Sequence, residues 1–320
     1  MRINYYFQTG LVQLLNGNIL DFLQTELKQY YKRNRCRNQI KKVKQWQTIV
    51  DRQQDVKIKI QPGVKLNLNF DSALSKLIYC YNFELLERKF VNHFLRPGDI
   101  FVDVGANVGL FTLIAAKLVG KKGSVYAFEP CSLTYNRLKY NVNLNKFSNV
   151  NCHQIALSDR NCEQDMVLSL DGFDAWNSLA KPTAGQAFSS EVINTMRWDD
   201  FVVKHNLQGK VTLMKIDVEG WETFVLAGGT QTLSREDAPT LLVEFTEKAA
   251  KTANSSCKEL YQKLEHLGYK MFVYNPDSKK LIPYKLQADR PHINLIATKQ
   301  PQMVENRLQT AKKYHFVYFD

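Results

Sequence analysis

The stretch Asp99-Ile-Phe-Val-Asp-Val-Gly-Ala-Asn-Val-Gly-Leu-Phe-Thr-Leu-Ile-Ala-Ala116 decides the fold of this chain. Ile100 to Val104 form a short apolar run that stops abruptly at Gly105-Ala-Asn-Val-Gly109. An alanine- and leucine-rich helical pattern follows at once. Strand, glycine turn and helix in that order open a nucleotide-binding α/β domain. Gly105 permits a tight turn, and Gly109 is expected to let a ligand approach the helix N-terminus, where free N–H groups point outward.

The turn excludes two common ligands. A dinucleotide fingerprint needs Gly-x-Gly-x-x-Gly, but Asn107 and Leu110 stand where its second and third glycines belong. A phosphate-cradling loop needs Gly-Lys-Ser/Thr, and none follows. An acidic strand residue, Asp103, beside Gly-x-x-x-Gly suits a cofactor with a cationic, non-phosphate end, such as S-adenosylmethionine. The next apolar run, Gly123-Ser-Val-Tyr-Ala-Phe-Glu-Pro130, ends in Glu129. A carboxylate there, about 25 residues after the first strand, is placed to accept both hydroxyls of a ribose. Glu129 is also placed to favour the N-terminus of the helix that begins near Ser132.

The chain has 320 residues and is 44% apolar, enough for one large α/β domain with additions. Cys36, Cys80, Cys131, Cys152, Cys162 and Cys257 are scattered without a Cys-x-x-Cys pair, so neither a zinc site nor a disulfide framework is expected. A reducing, cytoplasmic location fits that usage. The apolar N-terminal residues are interrupted by Gln8, Gly10, Gln13, Asn16 and Asn18, which matches neither a signal peptide nor a membrane span. The net charge of +12 is uneven: Lys28, Lys32, Arg33, Arg35, Arg37, Lys41, Lys42 and Lys44 run without one acid between them. A solvated helix face explains such a run, and peripheral contact of residues 28–44 with anionic lipid, nucleic acid or an acidic glycan is the alternative.

Periodicity predicts helices over Leu11–Tyr31 and Asn38–Asp51, then a β-hairpin from Val56, Ile58, Ile60 and Val64, Leu66, Leu68, Phe70 around Gln61-Pro-Gly63. A helix is predicted over Phe83–Leu95, stopping before Pro97-Gly98. Strands then alternate with helices: strand 100–104, helix 109–119, strand 124–129, helix 132–145 and strand 150–156. Residues 160–197 read as an irregular excursion over the pocket. A short helix over Asp199–His205 leads into strand 211–217, helix 220–234, strand 239–245, helix 255–267 and strand 269–274. A loop with Pro276 and Pro283 joins the last strand, Ile293–Thr298, and residues 299–320 read as a polar, basic tail. This alternation means a parallel sheet covered by helices on both faces. The expected organisation is a basic helical extension over 1–54, a hairpin and helix over 55–95, a catalytic domain over 96–298 and a tail over 299–320.

Several segments together resemble the FkbM-type S-adenosylmethionine-dependent methyltransferases. They are Arg96-Pro-Gly-Asp-Ile-Phe-Val-Asp-Val-Gly-Ala-Asn-Val-Gly-Leu110, Tyr126-Ala-Phe-Glu-Pro130, Ala156-Leu-Ser-Asp159, Trp198-Asp-Asp-Phe201, Met214-Lys-Ile-Asp-Val-Glu-Gly-Trp-Glu222, Val225-Leu-Ala-Gly-Gly229 and Leu242-Val-Glu-Phe245. The resemblance spans roughly residues 80–275. It implies a class I methyltransferase fold, Rossmann-like and α/β, with a seven-stranded, mostly parallel sheet whose last strand is antiparallel. It implies that Asp103, Gly105, Asn107 and Gly109 hold the methionine end of the cofactor and Glu129 the ribose. Ala156, Leu157 and Ser158 would lie along the adenine with Asp159 nearby, and Asp217 would face the methionine amino group or the transferring methyl.

Methyl transfer to a hydroxyl is an in-line displacement that also needs a proton acceptor. Ligands of open α/β sheets bind at the carboxyl ends of strands, where Asp217, Glu219 and Glu244 fall. These are the acid–base candidates, Glu219 ahead of the other two. Glu222 reads as a helix N-terminal acid, Lys215 as a structural partner of a neighbouring acid, and His153 as a core or edge histidine. His93, His205, His266 and His292 form no ligand spacing, so no metal is expected. Trp176, Asn177 and Ser178 lie in the excursion, where Trp176 either stacks on a sugar or anchors the loop. Tyr81, Phe83 and Glu84 stand where the family often carries an aromatic–Glu pair, with a lid as the implied role. Methylation of an amino group is disfavoured because Asp217-Val-Glu-Gly220 replaces an Asn/Asp-Pro-Pro-aromatic loop. Cytosine C5 chemistry is disfavoured because Cys131 follows the ribose-binding strand. The expected acceptor is a hydroxyl of a saccharide or natural-product scaffold. A nucleic-acid methyltransferase and a non-catalytic scaffold bound to a membrane or glycosyltransferase are the rival readings.

Overall fold

The computed structural model describes residues 37–169, 179, 188–287 and 292–311. Contacts divide the chain into two units, residues 1–52 and 53–320. In the first, a helix covers residues 37–51 (α1), matching the predicted Asn38–Asp51. The predicted helix Leu11–Tyr31, the basic residues up to 36, and Trp176, Asn177 and Ser178 lie outside the described residues. No helix among the described residues is long and apolar enough to cross a membrane.

The second unit opens with the hairpin. Val56–Gln61 (β1) pairs antiparallel with Val64–Leu68 (β2), turning at Gly63 with φ 77°. Ala73–Tyr81 (α2) and Leu85–Phe94 (α3) follow, where one helix from Phe83 was expected. They are separate because Asn82 and Glu84 are both left-handed, at φ 49° and 50°. Ile100–Val104 (β3), Leu110–Val119 (α4), Ser124–Phe128 (β4), Ser132–Leu144 (α5) and Val150–His153 (β5) follow the predicted alternation closely. Asn141 fixes the hairpin to this core: its Oδ1 accepts from Asn67 N–H at 2.8 Å, and its Nδ2 donates to Val108 C=O at 2.9 Å.

Strand 150–156 is in fact two strands in two sheets. β5 ends at His153, and Ala156–Leu157 (β6) pairs parallel with Phe188–Met196 (β8), which pairs antiparallel with Glu163–Ser169 (β7). The described residues of the excursion 160–197 are therefore mostly a strand pair in a three-stranded sheet, order β6-β8-β7. Trp198–Lys204 (α6), Leu213–Ile216 (β9), Glu222–Gly228 (α7) and Thr230–Leu233 (α8) come next. Thr240–Thr246 (β10), Glu247–Thr252 (α9), Cys257–His266 (α10), Lys270–Asn275 (β11), Lys280–Pro283 (β12), His292–Thr298 (β13) and Pro301–Gln309 (α11) complete the described chain. The tail thus contains a helix, begun by Pro301 at its first turn and anchored by buried Val304 and Leu308.

The main sheet runs β12-β11-β13-β10-β9-β3-β4-β5. β10, β9, β3, β4 and β5 are mutually parallel, and β13 is antiparallel to both β10 and β11. This is the class I methyltransferase arrangement, with β12 added as an eighth strand through its hairpin with β11. Val102, Val104, Met214, Ile216, Leu241, Val243 and Phe245 share one core with Trp198, Phe201, Val225, Leu226, Leu260 and Leu264 from α6, α7 and α10.

Candidate active site

The pleat sends alternate residues to opposite faces of the sheet. With Val102, Val104, Met214, Ile216 and Val243 in the core, their neighbours Asp103, Lys215 and Glu244 take the other face. Register aligns them: Asp103 is opposite Lys215, Lys215 is opposite Leu242, and Thr246 is opposite His292. A stripe of ionisable groups thus crosses β3, β9 and β10 at their carboxyl ends and meets His292 at the amino end of antiparallel β13.

At the turn after β3, Gly105 has φ 79°, and a Cβ there would overlap the carbonyl oxygen of Asp217. Gly109 also requires a left-handed backbone, φ 93°, but its tight neighbour is Leu138 Cδ1, 2.7 Å from where a Cβ would sit. Gly109 is not among the residues that line the cavity, and it lets α4 pack closely against α5. Asn107 is left-handed at φ 47°, and its N–H donates to Glu129 Oε2 at 2.9 Å. Glu129 Oε1 accepts from Cys131 N–H at 3.2 Å and Thr134 Oγ1 at 2.7 Å. Glu129 therefore ties the glycine turn to the start of α5 while lining the cavity. Burial pushes its carboxyl up to about 7 against the pull of those donors.

The cavity encloses about 940 Å³ including its open mouth. Asp103, Gly105, Asn107, Glu129, Ala156, Leu157, Asp217 and Glu219 line it. Ile155, Ala156 and Leu157 give it an apolar wall, joined by Met166 and Leu179. Ser158 and Asp159 are not in that lining. Ser158 Oγ instead accepts from Trp221 Nε1 at 3.1 Å, and Asp159 pairs with Arg160 at 3.2 Å. Trp221 lines the cavity and stacks on Phe224, ring centroids 4.0 Å apart.

Lys215 Nζ is 2.6 Å from Asp217 Oδ2 and 4.8 Å from the centre of the Phe111 ring. Burial opposes its charge, but Asp217, Glu84 and Asp103 together hold its pKa above the ordinary lysine value. Burial likewise raises Asp217, yet the Lys215 charge outweighs it and leaves the carboxyl below the usual range. Glu219 is raised well above that range by burial and by the charges of Asp217, Glu222 and Glu84. Glu244 is raised well above it by burial, then Asp217, Glu219 and Glu222. One oxygen from each of Asp217, Glu219 and Glu244 lies within 4.8 Å of the others, a spacing that could also hold a hard cation. Glu244 does not line the cavity and stands behind Asp217. Glu222 accepts from Val218 N–H at 3.0 Å and Gly220 N–H at 3.3 Å, closing the turn as a helix-start acid should.

The residues fit S-adenosylmethionine. Asp103 Oδ2 accepts from Thr112 Oγ1 at 2.6 Å, while its Oδ1 is buried and takes no hydrogen bond from the described residues. A cationic amino group satisfies such an oxygen. The sequence reading missed the cavity positions of Leu74, Phe111, Lys215 and Trp221 and gave Phe83 and Glu84 only a lid role. Lys215 carried a signal, its i, i+2 spacing to Asp217 on one face of a strand.

The fold and this cavity define an enzyme of the class I, S-adenosylmethionine-dependent methyltransferases. The chain matches the methyltransferase FkbM domain over residues 103–271, more than half its length, and belongs to that family. It is 27% identical over 192 residues to Methyltransferase 1 of Beauveria bassiana (strain ARSEF 2860), covering 54% of this chain and 72% of that one. It is 30% identical over 163 residues to the 31-O-demethyl-FK506 methyltransferase FkbM of Streptomyces tacrolimicus, covering 42% and 60%. With the 2-O-methyltransferase NoeI of Sinorhizobium fredii (strain NBRC 101917 / NGR234), identity is 26% over 162 residues, covering 47% and 65%. The chain thus spans less than two thirds of the length of these last two relatives.

Proposed function

We propose that this chain methylates a hydroxyl of a saccharide or polyhydroxylated natural-product scaffold. The observation that carries the reading is the carboxylate edge, Asp217 and Glu219 at the cavity with Glu244 behind them. The names of two relatives, an O-methyltransferase and a 31-O-demethyl-FK506 methyltransferase, support oxygen as the target atom.

S-adenosylmethionine, when bound, supplies a methyl group on a sulfonium. In this reading Asp103 and Asp217 take the methionine amino group, and the backbone of Gly105 and Asn107 closes around that end. Glu129 accepts from the ribose hydroxyls with the lone pairs its present donors leave free. The wall of Ile155, Ala156 and Leu157 receives the adenine. Glu219 accepts the acceptor's proton, since its raised pKa makes it a stronger base than an ordinary carboxylate. The ionised Asp217 and the high pKa of Lys215 keep those two groups out of the proton transfer. Phosphate-bearing acceptors are disfavoured by the same acidic edge, which argues against nucleic acid despite the net charge of +12.

The test is tritiated methyl transfer from S-adenosylmethionine to a panel of neutral methyl glycosides. Base-stable label in a glycoside is expected, and Glu219→Gln should lower its formation about a hundredfold. Base-labile label, or none in any glycoside, contradicts the reading.

A further inference from the structure

We infer that His292 is the positioning residue through which the acceptor's proton leaves the site, by way of Glu244. The inference rests on the hydroxyl-methylation reading above. Forming the new O–C bond breaks the C–S bond, whose electron pair stays on sulfur, and breaks the acceptor O–H bond. One proton per turnover is therefore deposited on the carboxylate edge and must be removed before the next.

Glu244 joins that edge to the protein exterior. One of its oxygens, Oε1, lies 3.0 Å from His292 Nδ1 and accepts from Thr246 Oγ1 at 3.0 Å. Thr246 Oγ1 is itself 2.5 Å from the same Nδ1, so a direct and a hydroxyl-bridged path both end on the imidazole. The other oxygen, Oε2, is buried, and no N–H or O–H of the described residues reaches it. Exposure rises along the line: the Glu244 side chain is 8% exposed and that of His292 21%. A proton taken at Nδ1 leaves an imidazolium that returns to neutrality by losing a proton to solvent buffer.

Sheet pairing fixes this geometry. Thr246 and His292 are directly opposed on antiparallel β10 and β13, and Glu244 is the next same-face residue on β10. Among the described residues, Asp217 and Glu219 lie beyond Glu244, and Glu87 of α3 accepts from Asn294 Nδ2 at 2.8 Å two residues along β13. The His292 charge lowers the Asp217 pKa, so the coupling extends to the cavity edge.

Two measurements on the full chain test the relay. The first follows the His292 ring by NMR in histidine-labelled protein, with the resonance assigned by His292→Gln. Its titration should carry a second inflection from Glu244 that disappears in Glu244→Gln; the same curve in both proteins overturns the relay. The second uses a glycoside that accepts label in the panel. His292→Gln should lower kcat about tenfold with both KM values within about twofold, and imidazole should restore part of the rate of His292→Gly. An unchanged kcat, or a loss that imidazole does not relieve, overturns it. A panel with no methylated glycoside contradicts the hydroxyl reading itself, whereas an uncoupled His292 titration contradicts only the relay.

Discussion

The backbone of Gly105 presses against the carbonyl of Asp217, so the turn after β3 and the turn after β9 are built as one unit. A Cβ at Gly105 would overlap that oxygen, and the φ of 79° is itself unfavourable to an L side chain. Gly105→Ala should therefore destabilise the protein by about 2–4 kcal/mol. Thermal unfolding by circular dichroism measures it, and an unchanged midpoint would show that the two turns are not locked together.

Lys215 is the buried positive charge among the acids of the stripe. Lys215→Met should leave Asp217 uncompensated and cost about 3–5 kcal/mol. Lys215→Arg should recover part of that loss. Urea unfolding of the three proteins decides, and equal stability of Lys215→Met would remove the ion pair at 2.6 Å from the account.

Two carboxyls give the ligand-free protein a distinctive pH response. Glu129 and Glu222 sit at about 7 when folded, above the unfolded value of about 4.3. A group raised in this way contributes stability below its unfolded pKa and loses it as pH rises through the folded one. The unfolding midpoint should therefore fall between about pH 4 and about pH 7. Asp217 is shifted the other way, and its contribution disappears only on acidification below that window. A midpoint that climbs across the window would contradict these environments.

Chelation probes the same acids. Because Lys215 already supplies a counter-charge, EDTA should leave S-adenosylmethionine binding and methyl transfer unchanged. A turnover that requires added magnesium would instead assign Asp217, Glu219 and Glu244 to a cation.

What the sequence revealed was local in origin. The turn at Gly105, the acid at Glu129 and the acid at Asp217 each end an apolar run, and the parallel sheet followed from strand–helix alternation. The His292 contact was hidden because antiparallel pairing joins it to Thr246 across 46 positions. The two-helix entry to the core was hidden because it depends on the left-handed backbone at Asn82 and Glu84, residue types that give only a weak signal of it. Strand 150–156 read as one element because its apolar pattern does not record that Ala156 and Leu157 find their partner in Thr195 and Met196. Gly109 was legible as a required glycine but not for its reason, since Leu138 arrives from the next helix.

The most direct test of the central claim is calorimetric titration of S-adenosylmethionine into the wild type and into Glu129→Ala. We expect one site per chain in the wild type and a Kd raised about tenfold to a hundredfold in the variant, with the fold retained by circular dichroism. No heat of binding in the wild type, or equal affinity in the two proteins, would contradict the placement of the cofactor between Asp103, Glu129 and Asp217.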